Sequence, residues 1–319
     1  MFSVFIKNVK TNIKKENIII SDRNSLDWII SYLTFKFLKR RIIVIPPEIL
    51  VEVLSNFYIL RKNSCLVSSK KINNIEVEQI LFSKLKINFS SKVKLKDDIN
   101  FYDEDIIFTS GTTGLPKGVC IPEQTYFHTV KVLINLFDQK ETDTELLSMP
   151  FSHSFGLARL RCCLYLGCSY FISDGLKNIP LIYQKSIDLP ITGLSFVPSA
   201  LELFKQMLKK NIKYLTKTVR YIELGSSEIS YDLRNWLIKN LPDTLIYIHY
   251  GTTEASRSFF KPLGKRDNLK NDLGFPSKSV KYRIERKDKI SKENKGEILI
   301  KGNNVAKGYL SPNSLSYIQ

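Results

Sequence analysis

The chain has 319 residues and a formal net charge of +17, from 48 Lys and Arg against 31 Asp and Glu. A hydrophobic content of 43% is enough for a sizeable core and excludes a disordered or fibrous protein. The lysines are spread along the whole chain, without a basic block or an aromatic-interleaved nucleic-acid motif, so the charge is expected on a solvated surface and no nucleic-acid partner is expected.

In chain order, Lys7 and Lys10 break the first apolar run, which argues against a signal peptide. Asn24 or Ser25 can cap a helix running to about Lys39. Ile42 to Ile45, closed by Pro46 and Pro47, has the length and composition of a buried strand, and Glu48 to Leu60 looks helical. Strand-length apolar runs recur at Ile106 to Phe108, Leu146 to Met149, Tyr170 to Ile172, Leu194 to Val197, Tyr221 to Leu224 and Leu245 to Tyr250. Helix-like stretches such as Pro198 to Lys209 and Tyr231 to Lys239 lie between them. Buried strands alternating with helices predict an α/β fold of largely parallel sheets with flanking helices. Val280 to Glu285 and Glu297 to Lys301 read as an antiparallel pair joined by a charged turn. A small antiparallel β region is therefore expected at the C-terminal end, with an α/β body over 1–270 and a β-rich end of the same domain over 271–319. No stretch approaches the roughly 18 apolar residues of a transmembrane helix. Cys65, Cys120, Cys162, Cys163 and Cys168 contain no CxxC pair. Free thiols in a reducing, cytoplasmic setting are the simplest expectation.

The most informative segment is Thr109-Ser110-Gly111-Thr112-Thr113-Gly114-Leu115-Pro116-Lys117-Gly118, which leaves the strand ending at Phe108. Glycines let backbone approach a ligand, hydroxyls and N–H groups form a nest for phosphate oxygens, and Lys117 brings a mobile cation stiffened by Pro116. The spacing is not that of the common NTPase loop, because Pro116 and Gly118 stand where a glycine and a magnesium-binding hydroxyl are required. A Gly/Thr-rich hairpin between two strands is the plainer alternative. Three further segments follow: Pro150-Phe151-Ser152-His153-Ser154-Phe155-Gly156, Leu224-Gly225-Ser226-Ser227-Glu228, and His249-Tyr250-Gly251-Thr252-Thr253-Glu254-Ala255.

Together, and in this order, these segments resemble the signatures of the AMP-forming adenylate ligases, the superfamily of acyl-CoA synthetases, luciferases and peptide-synthetase adenylation domains. Asp272-Leu273-Gly274-Phe275-Pro276 and Gly296 to Tyr309 resemble the β-rich end of that family's large domain. The resemblance implies an ATP- and Mg2+-dependent ligase that activates a small carboxylic acid as an acyl-adenylate and passes it to CoA or a phosphopantetheine thiol. It implies that Thr109, Ser110, Gly111, Thr112, Thr113, Gly114 and Lys117 cradle the phosphates. Gly225, Ser226, Ser227, Tyr250, Gly251 and Thr252 would border the adenine and acyl group, and Thr253 would reach the α-phosphate. Glu254 would hold magnesium, and His153 would sit near the acyl pocket and the phosphates. Lys117, His153, Thr253 and Glu254 form the catalytic set. Amino-acid-activating relatives place an Asp in the segment matching Phe151 to Ser154, so an acid other than an α-amino acid is expected. The family continues beyond the match to Gly308-Tyr309 into a Gly-Asp pair, a hinge and a small lid carrying a Lys. That lid is expected to be absent here. A carrier protein or a separate lid chain is then an expected partner. The competing expectation is a truncated, non-catalytic binder of ATP or acyl-adenylate, or one half of a split ligase.

Overall fold

A computed structural model describes residues 13–85, 104–109, 114–174, 178–208, 216–264, 272–285, 296–314 and 316–318. The chain divides into two compact units. One takes the chain up to Gln124, Pro150–Leu157 and the segment from Ala306, and the other takes Thr125–Met149 and Ala158–Val305.

The first unit is built on an eight-stranded sheet. Its strands are β1 (Asn17–Ile20), β2 (Arg41–Val44), β3 (Ser64–Ser68), β4 (Glu78–Leu81), β5 (Glu104–Thr109) and β6 (Lys117–Pro122), with Gly308–Leu310 and Tyr317–Ile318 added at one edge. β1 to β5 pair in parallel, while β6 returns antiparallel to β5. The isoleucine-rich strands are buried, as strands covered on both faces must be. Helix α1 (Leu26–Phe37) starts where the Ser25 hydroxyl accepts the Trp28 N–H at 3.1 Å, and it buries Trp28, Tyr32 and Phe35. The expected helix over 48–60 is divided. A 3-10 turn (Pro47–Ile49) leads into α2 (Leu50–Asn56), and α3 (Tyr58–Asn63) follows after a break at Phe57. The break lets the Phe57 ring drop edge-on against Phe108, with centroids 4.9 Å apart.

The second unit carries most of α4 (Glu123–Leu136) and of α5 (Ser154–Leu166), whose first residues belong to the first unit, and all of β7 (Thr144–Leu147), β8 (Ser169–Ile172), α6 (Ile179–Asp188), β9 (Gly193–Phe196), α7 (Pro198–Leu208), β10 (Tyr221–Gly225), α8 (Tyr231–Asn240), β11 (Leu245–Tyr250), β12 (Phe259–Leu263) and β13 (Phe275–Pro276). Its seven-stranded sheet runs β13-β12-β11-β10-β9-β7-β8, parallel from β8 to β11 and antiparallel beyond. One core joins Phe196, Phe204, Ile222, Leu224, Leu233 and Leu237, and another joins Leu133, Phe137, Ala158, Cys162, Tyr221 and Phe260. A separate two-stranded antiparallel sheet, β14 (Lys281–Glu285) with β15 (Glu297–Lys301), is the expected C-terminal β region. The α/β class with largely parallel sheets and flanking helices is therefore what the chain adopts. No helix among the described residues is long and apolar enough to cross a membrane.

Candidate functional site

Each unit presents one set of the expected site residues. In the first unit, Thr109 ends β5 and Lys117 opens β6, directly opposite each other in the ladder. The described ends of the segment thus meet in an antiparallel ladder, as the plainer hairpin alternative expects. Ser110, Gly111, Thr112 and Thr113 lie outside the described residues. Gly114 holds a φ of 123°, a conformation that favours glycine. The Lys117 Nζ lies 5.4 Å from the Tyr309 ring centroid. An ammonium over an aromatic face is attracted by the ring's quadrupole. His153 stands just before α5, its carbonyl accepting the Leu157 N–H at 3.0 Å. Surrounding protein desolvates the imidazole and lowers its pKa from 6.5, against the opposing pull of Glu48. His153 is therefore neutral near pH 7.

In the second unit, the C-terminal ends of β10 and β11 open onto a pocket of about 470 Å³. Its walls include Ser226, Ser227, Tyr250 and Gly251, together with Ile229, Ile248, Arg234, Lys261 and Asp272. Strand ends of an open parallel sheet are where such folds place ligands. Gly225 is needed by packing, because a Cβ there would meet His249 Cε1 at 2.2 Å. Ser226 takes a left-handed φ of 73°, turning the chain sharply out of β10. Gly251 starts the next turn, where a Cβ would lie 2.5 Å from the Arg257 nitrogen. In that turn the Thr252 hydroxyl accepts the Ala255 N–H at 3.2 Å, and half-buried Thr253 and Glu254 stand between them.

Beneath the pocket lies a buried charged network that reading the sequence missed. Glu223 Oε1 is 2.8 Å from His249 Nδ1 and 3.1 Å from Arg257 Nε. Arg159 donates to Glu145, from Nε at 2.6 Å and also from Nη2. Glu145 further accepts from the Tyr221 hydroxyl at 2.9 Å and from Gln139 Nε2 at 3.1 Å. Burial opposes the Glu223 charge, yet Arg257, His249 and Arg159 hold its carboxyl well below the usual carboxylate range. For His249 burial dominates, and Arg257 and Arg159 add to it, so its pKa is lowered despite Glu223. The available signal was a charged letter inside each apolar run: Glu145, Glu223 and Arg159.

The donor set fits a nucleotide and its metal. An aromatic edge and serine-lined backbone suit a base. Among the described residues no three His, Cys, Asp or Glu side chains gather into a metal cage. Magnesium is bound by one or two carboxylates plus substrate phosphates, which is what Glu254 can offer. The five cysteines are buried and unbridged, and burial pushes Cys65, Cys120 and Cys162 up to about 12, so these three are inert as nucleophiles.

The family described as AMP-binding enzyme matches residues 61–310. The 2-succinylbenzoate--CoA ligase of Staphylococcus aureus is 32% identical over 216 residues, covering 66% of this chain and 41% of its own length. The D-alanine--D-alanyl carrier protein ligase of Lactiplantibacillus plantarum is 26% identical, over 70% of this chain and 45% of its own. The o-succinylbenzoate coenzyme A synthetase of Bacillus subtilis, solved in complex with ATP and magnesium ion, has a TM-score of 0.74 at 20% identity, covering 93% of this chain and 63% of that one. That likeness is one of fold. The chain spans less than half the length of these two curated relatives.

Proposed function

The chain belongs to the AMP-binding enzyme family, and we propose that it binds Mg-ATP and activates a small carboxylic acid as its acyl-adenylate, for transfer to CoA or a carrier's phosphopantetheine thiol. The observation that carries this reading is the pocket at the ends of β10 and β11, where Ser226, Ser227 and Tyr250, three residues expected to border adenine, line one cavity.

In this reading the base lies against Tyr250. Lys117 neutralises phosphate charge, assisted by the Thr109 to Gly114 segment. Thr253 donates its hydroxyl to the α-phosphate. Glu254 would hold magnesium, which would supply positive charge to offset that of the phosphates. The carboxylate of the acid attacks the α-phosphorus, an anhydride bond forms there, and pyrophosphate leaves. Positioning and charge neutralisation suffice in kind for such a displacement. Neutral His153 is a polar contact at the acyl end. Ser152, His153 and Ser154 provide no carboxylate for an ammonium group, which favours an organic acid over an α-amino acid. CoA ligases and a carrier-protein ligase both stand among the relatives, and either acceptor is compatible with this site.

Acid-dependent exchange of pyrophosphate into ATP by the purified chain, over a panel of fatty, aromatic and amino acids, tests the reading. Exchange that needs magnesium and one class of acid is the expected result. Absence of both exchange and ATP binding overturns it.

A further inference from the structure

Thr253 and Glu254 can meet a phosphate and a metal only if their turn is held in one place. The turn from Gly251 to Arg257 is short and closed on itself. The Thr252 N–H donates to the Ala255 carbonyl at 3.3 Å, and the Ser258 hydroxyl donates to the same carbonyl at 2.8 Å. Its far end is Arg257, which is buried and holds a left-handed φ of 54°. A bulky non-glycine residue persists there only when its surroundings over-determine it.

Those surroundings include Glu223, Ser256 and Asn304. Arg257 Nε donates to Glu223 Oε1 at 3.1 Å, and Nη1 donates to the Ser256 hydroxyl at 3.1 Å. Asn304 Nδ2 donates to the Ser256 carbonyl at 3.0 Å. Glu223 sits two residues before Gly225, on the strand that ends at the pocket. One carboxylate therefore ties the turn carrying Thr253 and Glu254 to the strand that ends at Ser226 and Ser227. Arg159 Nη1 lies 3.6 Å from Glu223 Oε2, a charge contact without a hydrogen bond.

We propose that Arg257, clamped by Glu223, is a positioning residue that fixes the turn carrying Thr253 and Glu254, and so governs how strongly magnesium promotes nucleotide binding. This role rests on the proposed binding of Mg-ATP. Arg257 touches neither nucleotide nor metal. Its effect is confined to ligands that use the turn, which separates this role from general support of the fold. Adenosine, which has no phosphate, reports on the base pocket, whereas Mg-ATP reports on the pocket and the turn together.

Calorimetric titration of the purified chain with adenosine, with ATP in EDTA and with Mg-ATP separates the two. Wild type is expected to bind Mg-ATP more tightly than free ATP. Arg257→Gln keeps the length but loses the charge. It is expected to lose about tenfold of the magnesium-dependent gain, the scale of a hydrogen bond to a charged group, while adenosine affinity stays within about twofold. Arg257→Lys retains the charge but cannot bond Glu223 and Ser256 together, so it should lose a smaller part of the gain; it also decides the matter should the Gln variant not fold. An unchanged magnesium gain in a folded variant overturns the proposal. So does an equal loss of adenosine and Mg-ATP affinity, because the clamp would then only support the fold. Wild type that binds no nucleotide at all defeats the functional reading first, and this inference with it.

Discussion

Gly225→Ala adds one methyl group where the candidate site has least room. The backbone at Gly225 lies outside the left-handed region, so alanine's own preferences are no obstacle. The obstacle is His249, whose Cε1, Nε2 and Nδ1 would lie 2.2, 2.3 and 2.7 Å from the new carbon. Ordinary carbon contacts are about 3.5–4 Å, so the ring or the strand must give by more than an ångström. The ring is poorly placed to withdraw, since Nδ1 is 2.8 Å from Glu223 and Arg257 holds that carboxylate from the other side. Overpacking of this kind costs about 1–3 kcal/mol, and each kcal/mol lowers Tm by about 2–4 °C for a domain of about 150–250 residues. A Tm lower by about 2–12 °C is expected, with weaker AMP binding because the displaced strand carries Ser226 and Ser227 into the pocket. Thermal unfolding followed by circular dichroism and an AMP titration read the two effects. Gly225→Ala/His249→Ser removes the ring that causes the clash, so the pair should recover about 1 kcal/mol relative to the sum of the single variants. A single variant with wild-type Tm and wild-type AMP affinity, or a strictly additive pair, would refute the reasoning.

Lys117→Ala should weaken ATP binding by about 1.5–3 kcal/mol, the value of a charged hydrogen bond, and leave AMP binding nearly unchanged. Equal ATP titrations for the two proteins would reject Lys117 as a phosphate contact. Stability should fall on acidification. Buried His249 has its pKa lowered from 6.5, so the unfolded chain takes up this proton first and the stability it contributes is lost as pH drops below 6.5. Glu223, depressed below 4.5, adds a second loss as pH falls further, through 4.5 toward its folded value. A urea midpoint that rises from pH 7 to 5 would contradict the sign. Pyrophosphate exchange should respond to fatty or aromatic acids and not to α-amino acids, and exchange with amino acids alone would reverse that assignment.

Much of the fold could be read from apolar runs and their caps. Ser25 caps α1 through its hydroxyl, and the runs at Leu194, Tyr221 and Leu245 are β9, β10 and β11. The misreadings have physical causes. β7 spans Thr144–Leu147 rather than Leu146 to Met149, because buried Glu145 disguises its start as polar. α5 is apolar on nearly every side, with buried Arg159 inside it, and so shows no amphipathic stripe. β12 contains Lys261 and Pro262, letters that argue against a strand until an antiparallel partner is supplied on each side. The base-pocket residues were legible because they form contiguous motifs. The charged layer under them was not, because its members are drawn from β7, α5, β10, β11 and the turn after β11.

That layer explains why the legible motifs need their illegible neighbours. A buried ion pair adds little net stability, since desolvating both charges offsets most of their attraction, yet removing one partner costs about 3–5 kcal/mol because the other is left uncompensated. Hydrophobic residues of similar volume would hold the sheet as well. What they would not supply is direction: Glu223 presents one oxygen, Oε1, both to His249 under Gly225 and to Arg257 at the end of the Thr253–Glu254 turn. Local rules call for an apolar residue at position 223, between Ile222 and Leu224. A sequence that breaks such a rule with an ion-paired charge, two residues before the turn that lines the pocket, retains it for geometry rather than for stability. The cost of an unsatisfied partner then keeps the arrangement in one register. Glu223→Gln should consequently destabilise the fold more than its conservative size suggests, by about 3–5 kcal/mol, whereas a variant replacing Glu223 and Arg257 together should lose less than the sum of the two single changes. Denaturant midpoints across that four-protein cycle measure the difference, and additivity would remove the argument for a clamp.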